Sequence, residues 1–322
     1  TRMLPGTKVS TNLVINAELI LADKLPGSII IGGSGAIGTE FAYVLRSYGV
    51  DVTIVEFFDR MVPNEDAEIS AEITKAYKKL GIKVLTATKV ESIEDTGSGV
   101  RVTVSPAKGG ASQVLEADRF LSAVGFAPRT EGYGLENTGV TLTERGAIAI
   151  DDHLRTNVPG VYAIGDCVND YMLAHVASRE GEVAVENIMG QPIEMDYTTT
   201  PGAIYTSPEI ATVGLMEKEA AKKGLKVKVG RFPLMMNGKS MITGDTSGVM
   251  KVIADEETKK ILGVQMVGGP ATDMIAEGAL ALHFGATPED ILHTIHAHPT
   301  VSESMLEAAA NVFGQGIHTP KA

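Results

Sequence analysis

Three groups of residues in the sequence have the types and spacing to do chemistry. The first is Gly33-Ser34-Gly35-Ala36-Ile37-Gly38, a G-x-G-x-x-G, followed by a carboxylate at Glu56. Gly33 permits a tight turn, Gly35 lets backbone come close to a pyrophosphate, and Gly38 lets a helix pack against a strand. Amide N–H groups at the start of that helix would hold the pyrophosphate's negative charge. Glu56 suits a ribose 2′-hydroxyl and repels a 2′-phosphate, which favours NAD over NADP. The second group is Gly165-Asp166 followed by Met172-Leu173-Ala174-His175. The third is His296-Ala297-His298-Pro299-Thr300-Val301-Ser302-Glu303. Pro299 keeps His298 out of a helix. Glu303 falls in the first turn of the next helix, and a bend between the two would pair them. Such a carboxylate orients the imidazole and makes it a better general base.

Simpler readings stand beside these. A lone G-x-G-x-x-G also occurs as a glycine-rich turn; here strand, helix, second strand and acid follow in order. His293, His296 and His298 do not share one helical face with an acid, so no metal site is expected. His293 and His296 read as structural or surface residues. Asp166 could be only a helix cap, and Glu40 only a solvated helix residue. Cys167, the one cysteine, reads as a small packed side chain at a buried strand end. It can form neither an internal disulfide nor a Cys-x-x-Cys site.

The elements that position these groups follow from the pattern. The run of Ile before Gly33 reads as a buried parallel strand. A helix from Thr39 to Ser47 stops at Gly49, and Val52–Val55 is a second strand. Asn64 is a candidate cap for a helix running to Leu80, and Ile82–Leu85 is a third strand. Val90–Ile93, Val100–Val104 and Val114–Leu115 look like an antiparallel meander joined by glycine turns, and Arg119–Val124 returns as a strand. Thr11 or Asn16 could cap a short helix through Leu21. Val161–Asp166 reads as a strand ending on an aspartate, before an amphipathic helix through Asn187. Beyond residue 196, strands at 203–205, 210–215, 227–232, 249–254 and 261–267 precede helices at 271–284, 288–294 and 302–312. Thr287-Pro288 reads as a cap with proline at the first helical position.

The expected fold class is therefore an α/β Rossmann-like NAD domain with an inserted β-meander, the remnant of a second Rossmann-like domain, and a C-terminal α+β domain. The expected divisions are a lead-in at 1–22, the NAD domain at 23–146, the remnant at 147–195 and the last domain at 196–322. With 322 residues and 44% apolar content, two or three domains with proper cores are expected. The balance of 28 basic against 40 acidic residues, net −12, argues against nucleic acid or an anionic membrane as partner. No apolar run approaches the roughly 18 residues of a membrane span.

The motifs GSGAIGTE at 33–40, VGFAPRT at 124–130, VYAIGDC at 161–167, MLAH at 172–175 and HAHPTVSE at 296–303, in that order along nearly the whole chain, resemble the flavoprotein disulfide reductases. The closest likeness is to the branch that oxidises dihydrolipoamide. The resemblance implies FAD and NAD as cofactors and the second Rossmann-like domain as the FAD domain. It implies that Gly33, Ser34, Gly35, Ala36, Ile37, Gly38, Thr39, Glu40, Glu56, Val90 and Gly125 line the NAD site. Asp166 would hold the ribityl chain of FAD, and Met172, Leu173, Ala174 and His175 would open a helix facing the flavin. His298 would be the acid/base for a dithiol substrate with Glu303 as its partner, reaching the other subunit of a homodimer through the C-terminal interface domain. Lipoyl groups of 2-oxo acid dehydrogenase or glycine cleavage complexes would be the partners.

The family also carries an N-terminal FAD G-x-G-x-x-G and a Cys-x-x-x-x-Cys redox disulfide, and this sequence has neither. It opens TRMLPGTKVS without a Met at position 1. The expectation is a truncated form, inactive alone, that keeps NAD binding and dimer contacts, from a cytoplasmic bacterial protein. Phe126 and Ala127 stand where the family often has a basic residue. The alternatives are another FAD-dependent disulfide reductase and a non-catalytic NAD-binding and dimerisation module. NADPH-preferring members place arginines after the second strand, where this chain has Glu56-Phe57-Phe58-Asp59; mercuric reductases end in extra cysteines, absent from GQGIHTPKA.

Overall fold

The computed structural model describes residues 1–168 and 171–319. The chain forms two compact units, one from Thr1–Gly125 together with the chain from Pro201 onward, the other from Phe126–Thr200.

The first unit begins with β1 (Leu13–Val14), α1 (Asn16–Ile20), β2 (Ser28–Gly32), α2 (Ala36–Ser47), β3 (Asp51–Val55), α3 (Ala67–Lys79) and β4 (Lys83–Leu85). The meander β5 (Thr88–Asp95), β6 (Val100–Pro106) and β7 (Gln113–Ala117) follows, then β8 (Arg119–Ser122). Five strands form one sheet in the order β1-β8-β2-β3-β4, all parallel. Ile29, Ile30 and Ile31 are almost wholly buried, so β2 has an unbroken apolar run, as a strand covered on both faces requires. In β6, Val100, Val102 and Val104 are buried while Arg101 is exposed, the alternation of a strand wetted on one side. Tyr77 of α3 is fully buried and its hydroxyl donates to Thr39 O at 2.8 Å, tying α3 to α2.

Two expected caps are corrected. Ile15, not Asn16 or Thr11, occupies the cap position of α1, and Glu18 Oε2 accepts from its N–H at 3.0 Å. Helix α3 starts after Asp66 rather than Asn64, and Asp66 gives it no side-chain cap; its carboxylate faces a lysine described below.

The second unit contains α4 (Ala174–Ile188), held by a small core of Leu154, Val183 and Ala184 with Ile150, Tyr162, Ile193 and Met195 packed on it. The expected strand at Val161–Asp166 is not formed. Among the described residues, Tyr162 makes only an isolated antiparallel bridge to Arg155. Gly165, at φ 80°, then turns the backbone out of the extended region into a short 3-10 helix. A parallel strand needs neighbours to complete its ladder, and one bridge does not supply them.

The chain re-enters the first unit with β9 (Gly202–Ile204), β10 (Ile210–Gly214), α5 (Glu217–Lys222), β11 (Val227–Pro233), α6 (Gly238–Thr243), β12 (Val249–Asp255) and β13 (Ile261–Val267). Helices α7 (Ala271–His283), α8 (Pro288–His293) and α9 (Glu303–Asn311) follow. The sheet is antiparallel in the order β11-β12-β13-β10-β9. Helix α9 lies directly on it: a Cβ on Gly230 of β11 would stand 1.8 Å from Ala308 O. At α8, Thr287 Oγ1 accepts from Asp290 N and Asp290 Oδ2 accepts from Thr287 N, a closed capping box.

The start of α3 and the antiparallel sheet meet at a polar seam. Thr212, Gln265, Lys251 and Arg231 stand opposite one another across β10, β13, β12 and β11, so they form one row on a single face. Lys251 is 1% exposed. Its Nζ lies 2.8 Å from Asp66 Oδ2 at the start of α3 and 2.5 Å from Glu217 Oε1. Arg231 completes the group, with Nε 2.8 Å from Glu68 and Nη2 2.6 Å from Glu217. Lys251→Ala strands Asp66 without its cation, and an uncompensated buried charge costs about 3–5 kcal/mol; urea denaturation of this variant should show a loss of that size.

Glu65 beside the seam is half-buried, with its Oε2 buried and unpartnered. Burial pushes its carboxyl up to about 7, with Asp66 and Glu219 adding to the rise against Lys218 and Thr212. A carboxyl held more tightly protonated in the folded state stabilises the fold fully below its ordinary range. That contribution is lost as pH rises from 4.5 to about 7. Glu65→Gln should therefore match the native protein near pH 4 and exceed it by roughly 3 kcal/mol near pH 8, read as the difference between the two urea curves at each pH.

Candidate functional site

The glycine unit sits where β2 hands over to α2. Gly33 has φ 104°, and a Cβ there would lie 2.5 Å from Ala123 O beyond β8. A Cβ on Gly38 would lie 2.1 Å from Gly33 O. Both glycines are thus required by the protein's own backbone. Gly35 differs: it occupies the cap position of α2 with no side-chain cap, and a Cβ there would meet nothing within 4 Å. The space in front of Gly35 and the first-turn amides is an open cradle, which fits a pyrophosphate. Gly125, at φ 98°, also faces open space.

Glu56 stands at the end of β3 and is 4% exposed. Oε2 accepts from Ser34 N and Ser34 Oγ, both at 2.7 Å, and Oε1 accepts from Phe58 N at 2.8 Å. The carboxylate is built into the glycine loop, and an ionised carboxylate has about four acceptor sites, so acceptor capacity remains for a hydroxyl. A 2′-phosphate placed there would meet a buried negative charge. Glu40 on α2 is half-buried, and Oε1 accepts from Tyr205 N at 2.9 Å. Val90 pairs with Val104, and its side chain packs in the meander core. The structure thus gathers the dinucleotide candidates in the first unit.

His298 lies in the loop between α8 and α9. Its Nδ1 is 2.9 Å from Glu303 Oε1 and 3.2 Å from Oε2. A carboxylate can only accept, so Nδ1 carries the hydrogen and Nε2 is the basic nitrogen. The side chain is 76% exposed, which leaves that nitrogen accessible. Burial draws the Glu303 carboxyl upward, but hydrogen bonds from Thr300 N and His298, with the charges of His298 and His318, hold it below the usual carboxylate range. The loop is anchored on both sides. Asn237 Nδ2 donates to Thr300 O at 3.0 Å. His296, read from sequence as structural or surface, has a side chain only 6% exposed, set between Thr294 O and Glu277 Oε1, each at 2.9 Å. His293 is exposed. Among the described residues no group of three or more His, Cys, Asp or Glu could hold a metal.

In the second unit, Asp166 is exposed on the 3-10 turn, and Met172 holds φ 47° just before α4. Leu173 at the cap position gives no side-chain cap, so the first-turn amides of this 15-residue helix suit a partner carrying negative charge. Glu180, fully buried in α4, accepts from Gly165 N at 2.6 Å and from Tyr197 Oη at 2.8 Å. It fixes the turn that presents Asp166. Cys167 is only half-buried, which corrects its expected place in a buried strand end. Burial pushes its thiol up, with the charges of Asp166 and Glu180 adding, which favours the thiol over the nucleophilic thiolate.

Residues that sequence reasoning passed over include Glu277, which holds His296, and Glu307. Glu307 shares the spacing of four with Glu303, a signal present in the sequence.

Two family models match the chain: pyridine nucleotide-disulphide oxidoreductase over residues 3–181, and the dimerisation domain of the same group over 200–309. The chain is 48% identical over 320 residues to the dihydrolipoyl dehydrogenase of Mycobacterium tuberculosis, covering 99% of this chain and 68% of that protein. It is 45% identical over 319 residues to the dihydrolipoyl dehydrogenase of Corynebacterium glutamicum, covering 98% and 68%. Among solved structures it is similar to LpdA of Mycobacterium tuberculosis, with TM-score 0.87, 28% identity and coverage of 96% and 67%. It is also similar to the HOCl-induced flavoprotein disulfide reductase RclA of Escherichia coli in its Cu(II) complex, with TM-score 0.87, 26% identity and coverage of 96% and 69%.

The two glycines give a contrasting pair of variants. Gly35→Ala should keep the melting temperature and weaken NADH binding at least tenfold, or ~1.4 kcal/mol, by calorimetric titration. Gly38→Ala forces a methyl group onto a backbone oxygen and should cost about 1–3 kcal/mol of stability whether or not NADH is present.

Proposed function

We propose that this chain, which belongs to the pyridine nucleotide-disulphide oxidoreductase family, is the NAD-binding, proton-handling and dimer-forming portion of a dihydrolipoyl dehydrogenase. The family's chemistry uses FAD and NAD, and the match to a dimerisation domain supports a homodimer. The reaction converts dihydrolipoamide and NAD⁺ into lipoamide, NADH and a proton. The observation that carries the reading is the His298–Glu303 pair, with Nδ1 held by the carboxylate and Nε2 turned outward.

Each residue then has a physical task. Nε2 of His298 takes the proton of the attacking thiol, making the thiolate that exchanges with a disulfide. Glu303 keeps the ring in that tautomer and stabilises the imidazolium that results. Gly33–Gly38 and the start of α2, with Thr39, Glu40, Val90 and Gly125 around them, hold the dinucleotide, and Glu56 selects the unphosphorylated ribose. Asp166, with Met172 and Leu173 leading into α4 and Ala174 and His175 in its first turn, would hold FAD, which supplies a two-electron carrier when bound. With Cys167 as the sequence's one cysteine, the sulfurs of the exchange are not among these 322 residues. That observation favours the second reading, a non-catalytic NAD-binding and dimerisation module. Lipoyl groups of 2-oxo acid dehydrogenase or glycine cleavage complexes as partners, and a cytoplasmic location, belong to the same proposal.

The test supplies the sulfurs. Mixing this chain with the disulfide-bearing FAD segment of a relative should restore NADH formation from dihydrolipoamide. His298→Gln should lower that rate by about 10²–10⁴ without changing NADH affinity. Binding without restored turnover in a folded mixture favours the module, and tighter binding of NADPH than NADH sinks the role given to Glu56.

A further inference from the structure

Two residues before His298, the same loop carries a second imidazole, and this one is hidden. The His296 side chain lies between two oxygens: Nδ1 is 2.9 Å from Thr294 O, and Nε2 is 2.9 Å from Glu277 Oε1 on α7. A carbonyl oxygen only accepts, so Nδ1 carries a hydrogen. A neutral imidazole has one N–H, and that one is then spent. Nε2 would meet the Glu277 oxygen lone pair against lone pair, at hydrogen-bonding distance. The contact is attractive only if a further proton lies between them.

The charged groups of the neighbouring elements have other duties. Asp290 of α8 closes its capping box with Thr287, and His293 at the end of that helix is exposed. Glu303 of α9 holds His298 and accepts from Thr300 N. Asp273, one turn before Glu277 on α7, is exposed. Glu277 is thus the carboxylate that His296 meets. Imidazole binds a proton about a hundredfold more strongly than a carboxylate does, so the proton sits on the ring and the contact is a charge-assisted imidazolium–carboxylate pair. The pair anchors one end of the loop. At the other end, Thr300 Oγ1 donates to Ala297 O at 2.6 Å, and Asn237 Nδ2 donates to Thr300 O at 3.0 Å. His298 sits between these fixed points.

We propose that Glu277 and His296 are positioning residues for His298: a proton-bearing pair that fixes the near end of the loop so that Nε2 of His298 stays turned outward. The inference rests on the proposed acid/base role of His298. The two imidazoles of the motif divide the work. His298 has one nitrogen held by a carboxylate and the other free for a substrate proton. His296 has both nitrogens committed to fixed oxygens, so its proton binds the loop and takes no part in the transfer.

The first readout is the ring ¹⁵N spectrum of the 322-residue protein at neutral pH, with the His296 signals assigned by their loss in His296→Asn. Both ring nitrogens should carry hydrogens; one protonated and one bare nitrogen overturns the proton-bearing pair. In Glu277→Gln the amide can donate to Nε2, so a neutral ring keeps both bonds and one nitrogen should turn bare. Glu277→Ala removes the partner altogether. The second readout is hydrogen exchange at the Thr300 amide, which reports opening of the loop. It should quicken about tenfold in Glu277→Ala, or ~1.4 kcal/mol of easier opening, and stay within about twofold of native in Glu277→Gln. Unchanged exchange in a folded Glu277→Ala protein overturns the positioning role, as do equal changes in the two variants. In the reconstituted enzyme, Glu277→Ala should lower kcat for dihydrolipoamide several-fold, Glu277→Gln should restore it, and KM for NAD should hold in both. The spectrum and the exchange need no turnover. Their failure is therefore distinct from failure of the catalytic reading, which shows itself as unchanged activity in His298→Gln.

Discussion

An ammonium group that is 1% exposed cannot remain charged inside a protein unless anions meet it, and Lys251 imposes that condition on this fold. The anions come from two places. Asp66 stands at the start of α3, in the half of the unit that carries the dinucleotide cradle; Glu217 opens α5, in the half built on the antiparallel sheet. Because Asp66 is fixed at the start of α3, satisfying the lysine also ties that end of the helix to the antiparallel sheet. Arg231 and Glu68 extend the same match toward the surface. An apolar cluster spans the same unit, in which Ile204, Ile210, Val249 and Val267 join residues of the first sheet, and the charge pairs fix the register along its polar edge.

Much of the architecture was readable in the residues because local rules and global fold agree. The isoleucine run, the glycine unit and Glu56 lie in sequence as they lie in space, and the meander announced itself through alternation and glycine turns. The seam was not readable. Lys251 in VMKVIAD looks like a polar interruption in a strand, and nothing within ten residues names its partner 185 positions away. The cap was misplaced for a related reason: Asn64 and Asp66 are equally good caps by local rules, and nothing near them in sequence says that the carboxylate of Asp66 goes to a distant lysine instead of to the helix amides. Val161–Asp166 failed for the related reason that a strand is a property of its neighbours as well as of its own side chains.

The site divides along the same line. His298 and Glu303 could be paired from spacing alone, because a proline loop followed by a helix start leaves few ways to arrange five residues. The anchors around them could not. Glu277 and Asn237 reach the loop from other parts of the fold, and each supplies a hydrogen bond to a residue distant in sequence. Proton chemistry at an exposed imidazole needs that rigidity, since an accessible ring without anchors would sample orientations in which Nε2 faces the wrong way.

The separation between Asp66 and Lys251 also has a meaning in time. The whole parallel sheet lies between residues 13 and 122, so it can form on the ribosome before the antiparallel sheet exists. Asp66 and Glu68 are then surface acids, hydrated and at no cost. Lys251 emerges 185 residues after Asp66, and at ordinary rates of synthesis that delay is on the order of ten to forty seconds. Until then the lysine's anion can only be hydrated, so the seam can close only after both parts of the chain exist.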